Sequence, residues 1–238
     1  MKKRKWVWCL FPTLMFFLAI SPSAYSDLYW ECVVVTGGAP EGLPKDLPKE
    51  VRDQMLDQFK PRTETAKYYL TAYASRSETN DMIMIVEFDT MTMYQINLND
   101  KTYTKVSSTE MEQMTAGMTE DMKVTPTNET KKISGYNCKK YKVTVMGLES
   151  EHWLSKDVKG YKEFKAISEK IYKKNKKLRQ MHMIGMSYKE GFPVKTVSNV
   201  MGMTTTSTLK KIEKKALSKE LFKVPGEYKL QVLKMPLQ

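Results

Sequence analysis

The chain has 238 residues, a formal net charge of +12 and a hydrophobic fraction of 41%. This length fits one domain with a real core, with or without a long insertion. Lysine and arginine are spread along the chain, apart from one basic run at 170–179. That run indicates either the solvated face of a helix or contact with anionic lipid headgroups or nucleic acid.

The N-terminus has the order of a secretory signal peptide. A cluster of four cations precedes the largely apolar run Trp6–Ile20, and the small residues Ala24 and Ser26 stand before Asp27. As a helix this run would span roughly 22 Å, short of the ~30 Å hydrocarbon core that a membrane anchor has to cross. The pattern predicts a signal peptide over residues 1–26, cleaved between Ser26 and Asp27.

Cleavage would leave a single mature domain over 27–238 in the periplasm or outside the cell. It removes four cations and no acidic residue, so the formal charge falls from +12 to +8. The lower charge and the export both argue against a nucleic-acid partner. Cleavage also removes Cys9 and leaves Cys32 and Cys138. An even number of cysteines in an exported protein predicts a disulfide between them, and the alternative is two separate buried thiols.

Alternating or β-branched segments dominate the mature chain and predict strands. In one of them the pattern places Tyr141 and Val143 inward and Lys140 toward water. The predicted strands are Tyr29–Val35, Thr65–Ser75, Met82–Phe88, Met93–Leu98, Thr102–Val106, Lys139–Val145, Glu151–Ser155, Phe192–Val200 and Thr204–Ile212.

Helical spacing of apolar residues occurs in Leu47–Phe59, Ser108–Met118 and Asp157 to about Leu178. A half-apolar sheet has to bury one face, and amphipathic helices are the available cover. We therefore expect a mainly β (α+β) fold of about eight to ten strands. It would be a curved antiparallel sheet, or unclosed β-barrel, wrapped around two or three helices.

Four motifs follow one another in a specific order. They are Gly135-Tyr136-Asn137-Cys138, Trp153-Leu154-Ser155-Lys156-Asp157, Gly191-Phe192-Pro193-Val194-Lys195 and Leu221-Phe222-Lys223-Val224-Pro225-Gly226-Glu227-Tyr228. This order resembles the exported bacterial domain-of-unknown-function family 4412, over roughly residues 65 to 230. The resemblance implies a fold like the lipoprotein carriers LolA and LolB, an unclosed β-barrel with helices and an apolar cavity. It implies no established activity.

The motif residues can also be explained by structural roles alone, without a function. Gly135 fits a turn, and Pro193 at the start of a strand predicts an edge position. Phe222 predicts a short helical turn that docks an aromatic ring.

Methionine is the unusual component of the composition, because many of its residues lie two apart. Residues two apart share one face of a strand, which suits a core or a cavity wall. Met181-His182-Met183 also resembles a fragment of a Cu(I) site, since thioethers are soft ligands.

No catalytic constellation or cofactor motif stands out in the sequence. His152 and His182 are the two available bases, but no nucleophile elbow, zinc-protease motif or phosphate-binding loop accompanies them. We therefore expect a protein that is not an enzyme and has no cofactor.

Three functions remain open. The first is a periplasmic protein that binds a lipid or other apolar ligand in its cavity. The second is a structural or interaction module of the envelope, which contacts envelope proteins or an anionic membrane surface. The third is a Met-rich Cu(I) binder.

Overall fold

The structure, a computed structural model, describes residues 27–38, 47–115, 123–145, 147–174, 189–200 and 202–232. Ser26 and the rest of the predicted signal peptide lie outside these residues, as do Met181, His182 and Met183. Asp27, on the other side of the predicted cleavage site, is the first described residue.

Strands and helices follow the chain in an order close to the predicted one. The strands are β1 (Leu28–Gly38), β2 (Arg62–Leu70), β3 (Ala74–Glu78), β4 (Met82–Glu87), β5 (Thr92–Asn97), β6 (Thr102–Val106), β7 (Lys123–Ile133), β8 (Tyr136–Val145), β9 (Leu148–Ser155), β10 (Phe192–Val200), β11 (Met203–Lys214) and β12 (Lys229–Leu230). The helices are α1 (Lys49–Gln58), α2 (Ser108–Thr115) and α3 (Tyr161–Lys174), and a 3-10 helix covers Lys219–Phe222.

All twelve strands belong to one sheet, in the order β12-β6-β5-β4-β3-β2-β1-β11-β10-β9-β8-β7. Neighbours are antiparallel, except that β12 runs parallel to β6. The sheet is curved and unclosed, with β12 and β7 at its two edges. The predicted architecture is therefore confirmed, with more strands than expected.

Helix α3 covers one side of the sheet, which we call the helix side. Its apolar stripe is buried against the sheet, and Phe164 and Ile171 are 3% and 1% exposed. Gly160 lets the start of α3 lie close to β1 and β11. A Cβ atom at this position would lie 2.6 Å from Ile212 Cδ1 and 3.1 Å from Leu28 Cδ2. The buried stripe confirms the predicted amphipathic helix, which begins at Tyr161 and not at Asp157. The predicted end near Leu178 lies outside the described residues.

The C-terminal segment is fastened to the sheet by hydrogen bonds at several points. Asp27 Oδ2 accepts a hydrogen bond of 3.0 Å from the Leu217 N–H. Arg76 Nη1 donates to the Leu221 carbonyl at 2.7 Å. Phe222, at the end of the 3-10 helix, packs edge-on against Tyr73 with 5.5 Å between ring centroids. This contact confirms the predicted docking of an aromatic ring.

The single strand predicted over Thr65–Ser75 is wrong, because the chain turns between β2 and β3. The Thr71 Oγ1 atom accepts hydrogen bonds from the backbone N–H groups of Tyr73 and Ala74 at 3.2 and 2.9 Å. Such side-chain bonds stabilise a turn that competes with the extended strand. The alternation of the sequence continues through the turn and conceals it.

The prediction that Lys140 faces water is also wrong. Its side chain is only 11% exposed, and Nζ lies 2.7 Å from Glu151 Oε1 and 3.2 Å from Glu129 Oε1. The hydrogen bond to Glu151 is the largest of the effects that raise the pKa of Lys140. The ammonium also lies 5.7 Å from the centroid of the Trp153 ring. Lys140 therefore joins three neighbouring strands, β7, β8 and β9.

Pro193 does not occupy the predicted edge position, because β10 lies between β9 and β11. The register between β10 and β9 shifts between Pro193 and Lys195. A proline lacks the N–H that a sheet ladder needs, and a bulge is the other place where a strand tolerates it.

Candidate apolar binding cavity

A row of opposed side chains forms the floor of a cavity on the helix side of the sheet. Trp30 on β1 faces Tyr68 on β2, Tyr68 faces Ser77 on β3, and Ser77 faces Met84 on β4. Opposed residues of antiparallel strands share one face of the sheet, so these four side chains are neighbours. A cavity of about 270 Å³ lies over them. Its other lining residues are Tyr69, Leu70, Ser75, Arg76, Val86, Phe164 and Pro193.

Stacked and edge-on rings connect the floor of the cavity to the covering helix. Trp30 and Tyr68 stack with 5.1 Å between centroids and an angle of 9° between planes. Trp30 meets Phe192 edge-on at 5.5 Å, and Phe192 meets Phe164 of α3 at 5.0 Å. Aromatic pairs in these geometries contribute about 0.5–1.5 kcal/mol beyond the area they bury. The cavity therefore has one rigid wall.

Polar groups at the cavity are few and mostly engaged. Burial raises the pKa of Tyr68 to about 12, so its phenol stays neutral. Arg76 pairs with Glu78 at 2.6 Å and donates to the Leu221 carbonyl. The hydroxyl groups of Ser75 and Ser77 complete the polar part of the lining. Such a lining suits an apolar guest, with a few groups to orient it.

A family comparison covers most of the chain. The model of a domain of unknown function, DUF4412, matches residues 50–228. The chain belongs to this family. The resemblance found in the sequence is thereby confirmed, and the match also includes α1, which lies before the expected start at residue 65. No curated protein matches the chain.

Several solved structures resemble this DUF4412 chain at low sequence identity. PNGF-II in space group C2 is 14% identical over 87% of this chain, with a TM-score of 0.42. This chain spans only 31% of the PNGF-II chain. MucB is 10% identical over 86% of this chain and 59% of its own, with a TM-score of 0.38.

A lipoprotein-sorting domain is also among these structures. The putative outer membrane lipoprotein-sorting protein domain from Vibrio parahaemolyticus is 8% identical, with a TM-score of 0.34. The match covers 84% of this chain and 90% of that domain. These likenesses concern the fold alone. Within the described ranges, no helix is both long and apolar enough to cross a bilayer.

In the part of the chain that the structure describes, the two cysteines are free thiols. Cys32 and Cys138 are both buried, at 6% and 2% exposure. Burial raises the pKa of each thiol above its usual value. In the structure they are two separate buried thiols, and a disulfide between them stays a prediction.

Asp27, at the predicted cleavage site, has a structural role. Its carbonyl oxygen accepts from Lys215 N at 3.1 Å, and its carboxylate accepts from Leu217 N. Burial raises the pKa of the Asp27 carboxyl group. The residue after the predicted cleavage point is thus held by the C-terminal segment.

Several described methionines lie in the core or line the cavity, as one of the two interpretations predicts, whereas Met82 is 42% exposed. Met84 lines the cavity, and Met91 and Met93 are buried at 5% and 7% exposure. In the part of the chain that the structure describes, no group of three or more His, Cys, Asp or Glu residues is placed to hold a metal ion. The Met181-His182-Met183 fragment lies outside that part, so the Cu(I) hypothesis stays a prediction.

His152 lies on β9 next to Ser150, with 3.0 Å between Nε2 and Oγ. Burial lowers the pKa of His152 below its ordinary value of 6.5, so the imidazole is neutral at pH 7. Neither residue lines the cavity. The second histidine, His182, lies outside the described residues.

The buried imidazole predicts a pH dependence of stability. Below about pH 6.5 the unfolded chain takes up a proton that the folded chain resists, so the free energy of unfolding falls with falling pH. Urea titrations between about pH 7.5 and pH 5.5 should show this fall in the wild type and a smaller one in H152Q. The H182Q variant is the control, and an equal fall in all three proteins would contradict the assignment.

Proposed function

We propose that this protein is an exported, non-catalytic carrier that holds an apolar chain, such as the acyl chain of a lipid, in the cavity beneath α3. The cavity itself carries this proposal. Its volume of about 270 Å³ is at the small end of ligand sites, which commonly measure about 300–1,000 Å³. A single unbranched chain suits this volume better than a bulky ring system.

The chemistry of the walls supports an acyl chain. Each methylene group that leaves water contributes about 0.8 kcal/mol. The stacked Trp30 and Tyr68 rings offer a flat apolar surface, and the flexible thioether of Met84 adapts to the shape of a guest. Arg76 is the one cation among the described lining residues, and it is already paired with Glu78.

The N-terminal pattern supports export. Cations, an apolar run and small residues before Asp27 are the features that the export machinery recognises. An apolar carrier of the envelope would take its ligand from a membrane or from another envelope protein. The alternative, a structural module that acts only through its surface, predicts a sealed interior, and the cavity favours the carrier over it.

Binding of decanoate to the purified protein tests this proposal. It is measured by the displacement of a fluorescent fatty acid. The wild type should bind saturably, and S77F should bind at least tenfold more weakly, because its ring fills the floor of the cavity. The matched control is K67F, which adds the same ring at an exposed position of β2. The milder variant S77L serves if S77F does not fold.

Two results would contradict the carrier function. One is a wild-type protein that binds no fatty acid. The other is an equal loss of affinity in S77F and K67F, since that would place the fatty acid away from the cavity.

A further inference from the structure

A second, polar cavity lies on the same side of the sheet as the apolar one. Its volume is about 180 Å³, and it is bounded by β4, β5, β6 and the residue that follows β12. Most of its lining residues carry an amide or a hydroxyl group, beside the apolar Met82 and Ile96. The amide and hydroxyl groups include those of Gln95, Asn97, Thr102, Thr104 and Gln231.

The two cavities are adjacent, because one residue of each belongs to the same pair of opposed residues. Met84 lines the apolar cavity, and it faces Gln95, which lines the polar one. Gln95 in turn faces Thr104 on β6. Neighbouring strands lie about 4.8 Å apart. The row of opposed residues that begins at Trp30 therefore passes from the apolar cavity to the polar one in the step from β4 to β5. An extended ligand that crosses this pair would therefore contact both linings.

One residue that lines the polar cavity has a side-chain hydroxyl without a hydrogen bond. The Thr104 Oγ1 atom is buried and has no partner. A buried hydroxyl without a partner destabilises the protein, and most such groups are paired in native structures. A ligand with both donors and acceptors would supply that partner, because a hydroxyl group can donate and accept.

The polar groups around Thr104 are fixed in part by the sheet and its turns. The Asn97 Oδ1 atom accepts hydrogen bonds from the N–H groups of Asn99 and Asp100 at 2.9 and 3.0 Å, which orients its amide. Gln231 is positioned by the hydrogen bond of 2.7 Å from its N–H to the Tyr103 carbonyl. The pairing of β12 with β6 therefore completes this cavity.

We infer that the ligand is an amphipathic lipid with a neutral, polyhydroxylated headgroup, and that this headgroup binds in the polar cavity while the chain lies beneath α3. The inference rests on the proposed function, since it places the other end of the same ligand. Among the described residues, none that lines the polar cavity is Asp, Glu, Lys, Arg or His. An ionised phosphate would lose its water there without gaining a counter-charge, whereas a sugar exchanges hydrogen bonds with amides and hydroxyls.

Three probes with the same chain separate the headgroup from the chain. They are decyl glucoside, decyl phosphate and decanoate, each used below its micelle concentration. Calorimetric titrations should show that the wild type binds the glucoside most tightly. The T104V variant should bind the glucoside roughly fivefold more weakly and decanoate unchanged, as expected for the loss of one hydrogen bond.

The stability of the ligand-free variant is measured as well, so that weaker binding is not confused with partial unfolding. T104V removes a buried hydroxyl that has no partner, so the ligand-free variant should be as stable as the wild type or more stable. The control is T65V, on a half-buried threonine of β2 that lines neither cavity. T65V should leave the preference for the glucoside intact.

The outcomes distinguish the inference from the proposed function. Equal binding of all three probes, tighter binding of the phosphate, or a preference that survives in T104V would overturn the neutral headgroup and leave the chain carrier in place. Failure of all three probes to bind would overturn the carrier function, and the headgroup with it.

Discussion

Replacement of Phe164 with alanine should lower the free energy of unfolding by about 3–5 kcal/mol. Phe164 is 3% exposed, packs against Phe192 and forms part of the roof of the apolar cavity. The loss is large beside a typical total stability of about 5–15 kcal/mol. The variant should also have a larger cavity and should shift its preference from decanoate toward tetradecanoate. Urea denaturation and fatty-acid displacement measure the two effects.

The control for this variant is F222A, which removes the same side chain from a position that is 4% exposed, packs against Tyr73 and does not line the cavity. F222A should lose comparable stability and keep the chain-length preference of the wild type, because Phe222 belongs to a separate part of the core. If both variants change their preference equally, Phe164 does not act as the roof of the binding site. F164L, which removes less volume, is the substitute if F164A does not fold.

Replacement of Gly191 with alanine should lower the free energy of unfolding by about 3 kcal/mol. A Cβ atom at this position would lie 2.8 Å from Ser155 N and 2.9 Å from Ser155 C, and the φ angle is +156°. Both are backbone atoms of β9, and Ser155 is paired with Phe192 at the start of β10. The clash can be relieved only by moving β10 away from β9.

The matched control is G226A, because nothing lies within 4 Å of a Cβ atom at Gly226. Its urea midpoint should stay close to that of the wild type. Equal midpoints for G191A and G226A would contradict the close approach. This clash also explains why the Gly-Phe-Pro-Val-Lys motif begins with glycine. A residue without a side chain is needed next to the Ser155 backbone, where Phe192 begins to pair with β9.

The pattern of the sequence predicts the strands well where one face is buried. Thr102–Val106 has the predicted bounds, and Tyr141 and Val143 are buried as expected. Strand β7 was missed because its residues are mostly polar and exposed, so it carries no hydrophobic alternation. Its existence depends on pairing with β8, which is a tertiary contact.

The binding site is less accessible to prediction than the fold. Tyr68 was placed on a strand with alternating faces, but nothing in the local pattern shows that Trp30 stacks on it. That contact depends on the register between β1 and β2, and on the position of α3 above them. The sequence pattern does not distinguish Thr104 from other threonines, because a buried hydroxyl without a hydrogen-bond partner can be recognised only in the folded structure.

The position of β1 in the sheet has a consequence for the kinetics of folding. β1 pairs with β2, which follows it closely, and also with β11, where Leu28 faces Lys214. Contacts between residues so distant along the chain form slowly, because a long loop has to close first. The β1 to β6 half can pair locally as soon as it is made, whereas the two halves of the sheet join only after β11 has been synthesised. Until then β1 retains an unpaired edge, and the growing chain is most vulnerable to aggregation during that interval.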